Sequence, residues 1–289
     1  MRHHRDWVPL LATGLLVLVV VVGFAAPWLV PHDPYQQRLT DALLPPLSHG
    51  QLGLHVLGTD ELGRDTLSRL MLGTRPMLLV AVSSVLLAAT VGSAVGLTSG
   101  FRGGALDAVL MRVSDIQLSV PPIILAILLA AALSPGITSA IVAITLVTWP
   151  QYARVIRAET MRVSTADFVQ LARVAGLSRP RILGLHVVPN ILSLMVVLAT
   201  LNLAIAVIIS AALSFLGVGV QVPRPDWGNM LAGGTQYLQS WWLVVFPGLA
   251  ITLTVLALSL AGDHLRDLLD PRVANRGRRD IAIGEAGAQ

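Results

Sequence analysis

Side chains that could catalyse a reaction or bind a metal are few in this sequence. The 289 residues include seven histidines but no cysteine, and all twenty basic residues are arginine. Without cysteine the chain has no thiolate metal site and no cysteine nucleophile, and without lysine it has no phosphate-binding P-loop. The histidines do not fall at metal-ligand spacing, and no G-x-S-x-G elbow indicates a hydrolase. We therefore predict no catalytic residue, no metal ligand and no bound cofactor in this chain.

Two polar side chains inside an apolar run are the candidates for contact with a transported molecule. Thr200 and Asn202 occur in the stretch LATLNLAIAV, residues 198–207. Polar residues in lipid-embedded helices usually face the interior of the helix bundle. Asn202 would then either form an interhelical hydrogen bond or line a transport path. No acidic residue lies within the apolar runs, which argues against a proton relay and a proton-coupled carrier.

The composition predicts a membrane protein with helical spans. The chain is 54% hydrophobic and 12% charged, with a mean hydropathy of +0.73, whereas soluble domains have about 25% charged residues. The formal charge of +4 is expected to reflect arginines in cytoplasmic loops rather than a surface for nucleic acid. We therefore expect membrane lipid, and no nucleic acid, around this chain.

Apolar runs locate six candidate spans, because a span needs about 20 apolar residues. They are Val8–Val30, Pro76–Phe101, two spans within Ile116–Ala153 separated by the turn Leu133–Ile137, Val187–Pro223, and Leu243–Gly262 preceded by a short re-entrant or interfacial segment. The first run could be a signal peptide, but it is long and lacks an A-x-A cleavage site, so we expect a retained anchor. The predicted domains are an N-terminal anchor and external elbow, residues 1–75, a core transmembrane domain, residues 76–272, and a cytoplasmic tail, residues 273–289, which we expect to be disordered.

The arginines predict the orientation in the membrane. With six spans both termini lie on the same side, and that side carries fifteen of the twenty arginines. Cytoplasmic loops carry the excess of basic residues. Both termini and the polar insert Ser164–Asn190 are therefore predicted to be cytoplasmic.

The Ser164–Asn190 insert has the pattern of a short amphipathic helix, a turn and a second helix. Ser164 or Thr165 is the expected N-cap, and Gly176 is expected just past the helix end. The apolar residues that recur at helical spacing are Phe168, Leu171, Ala172 and Ala175. This face would pack on the protein's own span ends, lie in the lipid headgroup layer, or fit a groove on another protein. Ser178 is expected to begin the second helix, with Pro180 in its first turn.

The insert resembles the cytoplasmic signature loop of the membrane subunits of ATP-binding-cassette importers, with the pattern E-A-A-x₃-G-x₉-I-x-L-P. The matching positions are Gln170, Leu171, Ala172, Gly176, His186, Val188 and Pro189. Gln replaces Glu, Leu replaces the first Ala, His replaces Ile and Val replaces Leu. The ending His186-x-x-Pro189-Asn190 is typical of one branch, the dipeptide/oligopeptide permeases.

Four other stretches resemble blocks of the same branch, in order and at matching spacing. They are Leu57–Arg75, Ala212–Gly219, Asp226–Leu231 and Gly262–Arg272. In the first of them, Asp65 is expected to cap a short helix that ends near Gly73 and forms an interfacial elbow or helps to receive a binding protein. Charged pairs among Asp60, Arg64 and Asp65 are expected to carry little energetic weight.

The resemblance implies an all-α fold, the type I importer transmembrane domain with six transmembrane helices and a cytoplasmic coupling helix. The chain would be the shorter, C-type permease subunit, which forms the pore for di- and oligopeptides in the cytoplasmic membrane. Its implied partners are a homologous second permease, two cytoplasmic ATP-binding subunits that hold ATP and magnesium, and an external peptide-binding protein. The implied ATPase-coupling residues are Phe168, Gln170, Leu171, Ala172, Arg173, Gly176, His186, Pro189 and Asn190.

Rival functions remain open at the level of sequence. Permeases for nickel, glutathione and other small cargo share all the quoted blocks. A stand-alone channel or secondary carrier would need no ATPase, and its cytoplasmic loop would be expendable. A membrane enzyme would require polar catalytic groups converging near a span end, and the sequence indicates none.

Overall fold

The structure, a computed structural model, describes residues 7–269, and the regular elements in that range are nearly all helices. The long helices are α1 (Trp7–Leu29), α2 (Thr66–Arg102), α3 (Gly104–Leu118), α4 (Pro122–Ala132), α5 (Ile137–Ser164), α8 (Val188–Phe215) and α10 (Trp242–Leu269). The short ones are α6 (Asp167–Val174), α7 (Arg179–Ile182) and α9 (Trp227–Gly234). Two short antiparallel strands, β1 (Ser48–Gly50) and β2 (Gly53–His55), form a hairpin. The predicted tail, residues 273–289, lies outside the described range.

Four helical stretches are long and apolar enough to cross a membrane. They are Leu10–Leu29, Thr66–Arg102, Arg179–Phe215 and Trp242–Leu269, and a fifth is added if α3 and α4, which meet at 92°, form one broken span. The four stretches coincide with four of the six predicted spans, and the α3–α4 pair contains the predicted span that precedes the Leu133–Ile137 turn. The remaining prediction falls on α5, which is less apolar because it contains the stretch Trp149–Tyr152 and, beyond it, Arg154, Arg157, Glu159 and Arg162.

Helices α2 and α5 pack with their backbones in direct contact. Gly92, Gly96 and Gly100 recur every four residues along one side of α2. A Cβ at Gly96 would stand 2.6 Å from the carbonyl oxygen of Ala153, and one at Gly100 would stand 2.6 Å from that of Arg157. Small residues at this spacing allow two membrane helices to approach closely. The glycines therefore fix α2 against α5 over at least two turns.

A shared apolar core fills the centre of the bundle around this contact. Buried side chains of α2, α4, α5 and α8 meet there, and the largest include Met77, Ile144 and Leu213. A second, smaller core lies beneath the Ser164–Asn190 insert and is built on Ile156, Val163 and Ile191. Both cores contain residues of α2 and α5, so they lie at different positions along the same pair of helices.

Residues 30–65, here called the cap segment, cover the N-terminal end of α2. Asp65 is the N-cap of α2, and its carboxylate accepts a hydrogen bond from the Ser68 amide at 2.8 Å, as predicted. The predicted helix end near Gly73 is wrong, because α2 continues to Arg102. Gly73 instead permits close packing, since a Cβ there would stand 3.2 Å from the Trp227 ring.

The charged pairs of the cap segment are buried, which corrects the expectation of weak surface pairs. Asp60 and Arg64 are each 7% exposed and form an ion pair at 2.7 Å. Arg69, which is 3% exposed, approaches the same Asp60 carboxylate at 3.3 Å. Removing one partner would leave an uncompensated buried charge, at a cost of about 3–5 kcal/mol.

The predicted domain boundary at residues 75 and 76 lies inside α2, where Arg75 ties α2 to α1. Pro27 has no N–H, so the Gly23 carbonyl four residues earlier lacks its helical donor. The Arg75 Nε donates to that carbonyl at 2.8 Å, and Nη2 donates to the Phe24 carbonyl at 3.1 Å. The anchor helix is thus bonded to the first helix of the core domain.

We expect Gly96→Leu to destabilise the protein strongly, because its side chain would meet the α5 backbone. Gly14→Leu is the matched control, since nothing lies within 4 Å of a Cβ at this exposed position of α1. Overpacking a tight contact costs about 1–3 kcal/mol or more. Thermal unfolding of the purified variants in detergent measures the difference, and equal midpoints for the two variants would contradict the close α2–α5 contact.

Candidate coupling site

The Ser164–Asn190 loop contains α6 as a distinct helix between two long ones. The helix spans Asp167–Val174 and has Ala166 at its N-cap, so the prediction of Ser164 or Thr165 in that role is wrong. Ser164 and Thr165 instead complete α5, where the Thr165 hydroxyl donates to the Arg162 carbonyl at 2.9 Å. Asp167 lies in the first turn of α6, where a negative charge is favourable.

The end of α6 is fixed by a pair of backbone hydrogen bonds around Gly176. Gly176 has a φ of +79°, which favours glycine, and it follows the helix as predicted. Its N–H donates to the Arg173 carbonyl at 3.0 Å, and the Leu177 N–H donates to the Ala172 carbonyl at 3.2 Å. This is the Schellman arrangement. It turns the chain sharply towards α7, which begins after Ser178 as predicted.

One face of α6 holds the helix against the rest of the protein. Val169 is 0% exposed and Ala172 is 8% exposed. Both belong to the small core that contains Ile156 of α5 and Ile182 of α7. Full burial of a valine contributes about 1.5–3 kcal/mol. The sequence pattern missed Val169, although its position three residues before Ala172 is a helical spacing.

The other face of α6 projects a row of apolar side chains away from the protein. Phe168 is 43%, Leu171 69% and Val174 87% exposed. Leu171 therefore does not pack on this protein's own span ends, which was one of the interpretations, whereas Phe168 is only partly exposed and its ring lies near His186. Val174 was not predicted, and it continues the row at i+3 from Leu171. We call Phe168, Leu171 and Val174 the apolar ridge.

The remaining candidate residues surround the base of the ridge. The rings of Phe168 and His186 lie 6.5 Å apart, and the Arg173 guanidinium lies 5.9 Å from the centre of the Phe101 ring at the end of α2. The Gln170 Nε2 donates to the Ser164 carbonyl at 3.3 Å. The structure thus brings α6, the end of α2 and the entry to α8 together.

Pro189 and Asn190 mark the point where the loop joins α8. A π-helical segment, Leu183–Val187, precedes Pro189, and such a bulge is one way to accommodate a residue without an N–H. The Asn190 side chain donates to the His186 carbonyl at 2.7 Å. Both residues are exposed, so they shape the helix start rather than the core.

Thr200 and Asn202 lie far from this loop, in the middle of α8. The Asn202 Nδ2 donates to the Leu198 carbonyl at 2.9 Å, and the Thr200 hydroxyl donates to the Val196 carbonyl at 3.0 Å, both within α8. Asn202 is 8% exposed, and its Oδ1 has no hydrogen-bond partner among residues 7–269. The interhelical bond is therefore absent from the described part of the chain, and the lining role stays a prediction.

The turn between α8 and α9 buries a carboxylate in another of the resembling blocks. Asp226 is 1% exposed and caps α9, where its Oδ1 accepts from the Gly228 amide at 2.9 Å and its own amide donates to Asn229 at 3.2 Å. Burial raises the pKa of Asp226 to about 6, because it outweighs the hydrogen bonds that the carboxylate accepts from Ser214 and from the amides of Gly228 and Asn229. The neighbouring Trp227 donates to the Leu70 carbonyl at 2.8 Å, which ties this turn to α2.

Two family profiles match the chain. The profile described as binding-protein-dependent transport system inner membrane component covers residues 92–275, which include the whole Ser164–Asn190 loop. The profile described as the N-terminal TM domain of oligopeptide transport permease C covers residues 4–46.

Relatives match nearly the whole length of the chain. The dipeptide transport system permease protein DppC of Escherichia coli K12 is 44% identical over 90% of this chain and 88% of its own length. The di/tripeptide transport system permease protein DppC of Pseudomonas aeruginosa is 43% identical over 91% and 88%. The probable D,D-dipeptide transport system permease protein DdpC of Escherichia coli K12 is 40% identical over 93% and 89%.

We expect Asp226→Asn to remove a pH dependence of stability. A carboxyl whose pKa rises on folding from 3.8 to about 6 stabilises the fold increasingly as pH falls through about 6. When the pH is lowered from about 7 to about 5, the free energy of unfolding of the wild-type protein should rise by about 1 kcal/mol relative to that of Asp226→Asn. Asparagine is chosen because it is also a good N-cap residue. Chemical unfolding at both pH values measures this difference. Parallel pH profiles would contradict the burial of a charged carboxylate.

Proposed function

The chain belongs to the family of binding-protein-dependent transport system inner membrane components, and we propose that it is a pore-forming permease of an ATP-driven importer of di- and oligopeptides. Such a subunit carries no catalytic residues and acts by changing conformation. The three relatives are named for dipeptides, di/tripeptides and D,D-dipeptides, and their identities of 40–44% extend over about nine-tenths of the chain. These names support peptides as the cargo.

We propose six crossings of the inner membrane, with both termini in the cytoplasm. The crossings are α1, α2, the α3–α4 pair, α5, α8 and α10. The apolar first half of α5, which contributes Ala140, Ala143 and Ile144 to the core, would cross, and its arginine-rich second half would extend into the cytoplasm. The excess of arginine on that side supports the orientation. The cap segment then lies outside the cell.

The exposed apolar ridge of α6 is the main support for this proposal. An exposed apolar row on a helix that is anchored by its opposite face fits a groove on another protein. We propose that the groove belongs to a cytoplasmic ATP-binding subunit. ATP and magnesium would be held by two such subunits. A homologous second permease would complete the pore, and an external binding protein would deliver peptide to the cap side.

Movement would pass from the ATPases to the pore through α6. Val169 and Ala172 fix α6 to the core that α5 and α8 share, so a force on the ridge displaces those helices rather than the loop alone. Arg173 on Phe101 adds contact with the end of α2. Thr200 and Asn202 of α8 would then face the path in one state of the cycle, and the unpartnered Asn202 Oδ1 supports contact with a peptide amide.

We expect Leu171→Asp to abolish coupling while leaving the fold intact, because Leu171 is 69% exposed in this chain. Burying a charge in the groove in place of a leucine forfeits about 1.5–3 kcal/mol of apolar burial and adds a desolvation cost. Peptide uptake by reconstituted complexes should fall at least about tenfold. Thermal unfolding of the isolated chain should be unchanged.

Gln170→Glu is the matched control, since it introduces the same charge one residue away and off the apolar ridge. It also restores the glutamate of the signature pattern, so we expect uptake at the wild-type level or above. Full uptake by Leu171→Asp, or an equal loss in both variants, would contradict docking through the ridge.

A further inference from the structure

Three potential metal ligands from separate parts of the chain converge inside the cap segment. His32 follows α1, His55 ends β2, and Asp65 caps α2. The Asp65 Oδ1 lies 2.8 Å from the His55 Nδ1 and 3.6 Å from the His32 Nδ1. One ligand atom from each residue lies within 4.8 Å of the others. The two imidazole rings are 4.7 Å apart and tilted by 31°.

The hydrogen bond of the His32 Nε2 determines whether the Nδ1 atom carries a hydrogen or a lone pair. The His32 Nε2 lies 3.2 Å from the Leu52 carbonyl oxygen, which can only accept, so Nε2 carries the hydrogen. In the neutral ring, Nδ1 then presents a lone pair towards the Asp65 carboxylate. Within the described residues this Nδ1 has no hydrogen-bond partner. A lone pair facing a carboxylate oxygen requires a cation or a proton between them.

The arrangement has the outer contacts of a metal site. A ligating histidine usually donates its other N–H to a carbonyl or carboxylate, as His32 does to Leu52. The second oxygen of Asp65 is held by the Ser68 amide at 2.8 Å and the Ser68 hydroxyl at 2.7 Å, which orients Oδ1 towards the two histidines. Ligand atoms around a tetrahedral ion bonded at about 2.0–2.1 Å are about 3.4 Å apart. Two of the three separations, 2.8 and 3.6 Å, bracket that spacing, and the third is within 4.8 Å.

We propose that His32, His55 and Asp65 bind one divalent transition-metal ion of the zinc type. Two imidazole nitrogens and one carboxylate oxygen are a donor set that such ions accept, with a fourth position left for water. The ion would replace the His55–Asp65 hydrogen bond, and the His55 proton would move from Nδ1 to Nε2. That Nε2 and the Asp41 carboxylate border the same space beside Gly50, within 2.9 Å of its Cβ position.

The ion would have a structural role at the cap. It would join the end of α1, the β1–β2 hairpin and the first turn of α2, which otherwise meet through hydrogen bonds and ion pairs. The side chains of His55 and Asp65 are each 1% exposed and that of His32 is 12% exposed, so an ion reaches the site past His32. Bound metal should therefore raise the thermal stability of the chain.

Zinc binding by the full-length protein in detergent tests this site. The background carries His3→Gln and His4→Gln and a purification tag without histidine, so that the N-terminus does not bind the ion. Equilibrium dialysis against zinc should give about one equivalent at micromolar zinc, and the unfolding midpoint should rise with zinc and fall with chelator. His32→Gln should weaken binding on the order of 100-fold and abolish the shift in midpoint.

His49→Gln is the matched control, because His49 is exposed on β1 outside the cluster. It should retain the bound zinc and the shift in midpoint. Equal midpoints of His32→Gln and the background protein in chelator show that the variant is folded. Failure of the background protein to bind zinc at about 100 μM, or equal binding by His32→Gln, would overturn the proposal and leave a cluster held by a proton alone.

Discussion

The close contact between α2 and α5 underlies the arrangement of the cap segment, the core and α6. Because Gly92, Gly96 and Gly100 have no side chains, the two backbones meet and act as one unit. At 1.5 Å per residue, the 37 residues of α2 extend for about 55 Å, well beyond the apolar thickness of a bilayer. The cap segment covers one end of this unit, and α6 packs near the other. In the proposed function, a displacement of α6 would therefore be transmitted along a stiff pair of helices.

The two faces of α6 follow from this arrangement. The second half of α5 supplies Ile156 and Val163, which bury Val169 and Ala172. With that face occupied, Phe168, Leu171 and Val174 must point outwards. An anchored helix with an exposed apolar row is costly in water unless a partner covers it. Family membership supports a partner of this kind, since the relatives are permease components of transport systems.

Much of the fold could be predicted from the sequence because apolar length determines the spans and glycine determines the end of α6. The Asp65 cap and the turn at Gly176 rest on local chemistry, and both are confirmed. Features that depend on tertiary contact were missed. Gly73 packs against Trp227 and does not end α2, Asp60 is buried, and Val169 rather than Phe168 faces the core. The histidine cluster was missed because its members lie 23 and 10 residues apart in sequence, at no recognisable ligand spacing.

We propose that the apolar ridge of α6 is seated in a groove of an ATP-binding subunit. The chain has no natural cysteine, so Val174→Cys places a single thiol on a residue that is 87% exposed. In the assembled transporter a photoreactive cross-linker attached to this thiol should join the position to the ATPase, whereas the same reagent on Leu238→Cys, 78% exposed on the cap side, should not. A reagent on Val174→Cys that cross-links to lipid headgroups and never to the ATPase would contradict the seating of the ridge in that subunit.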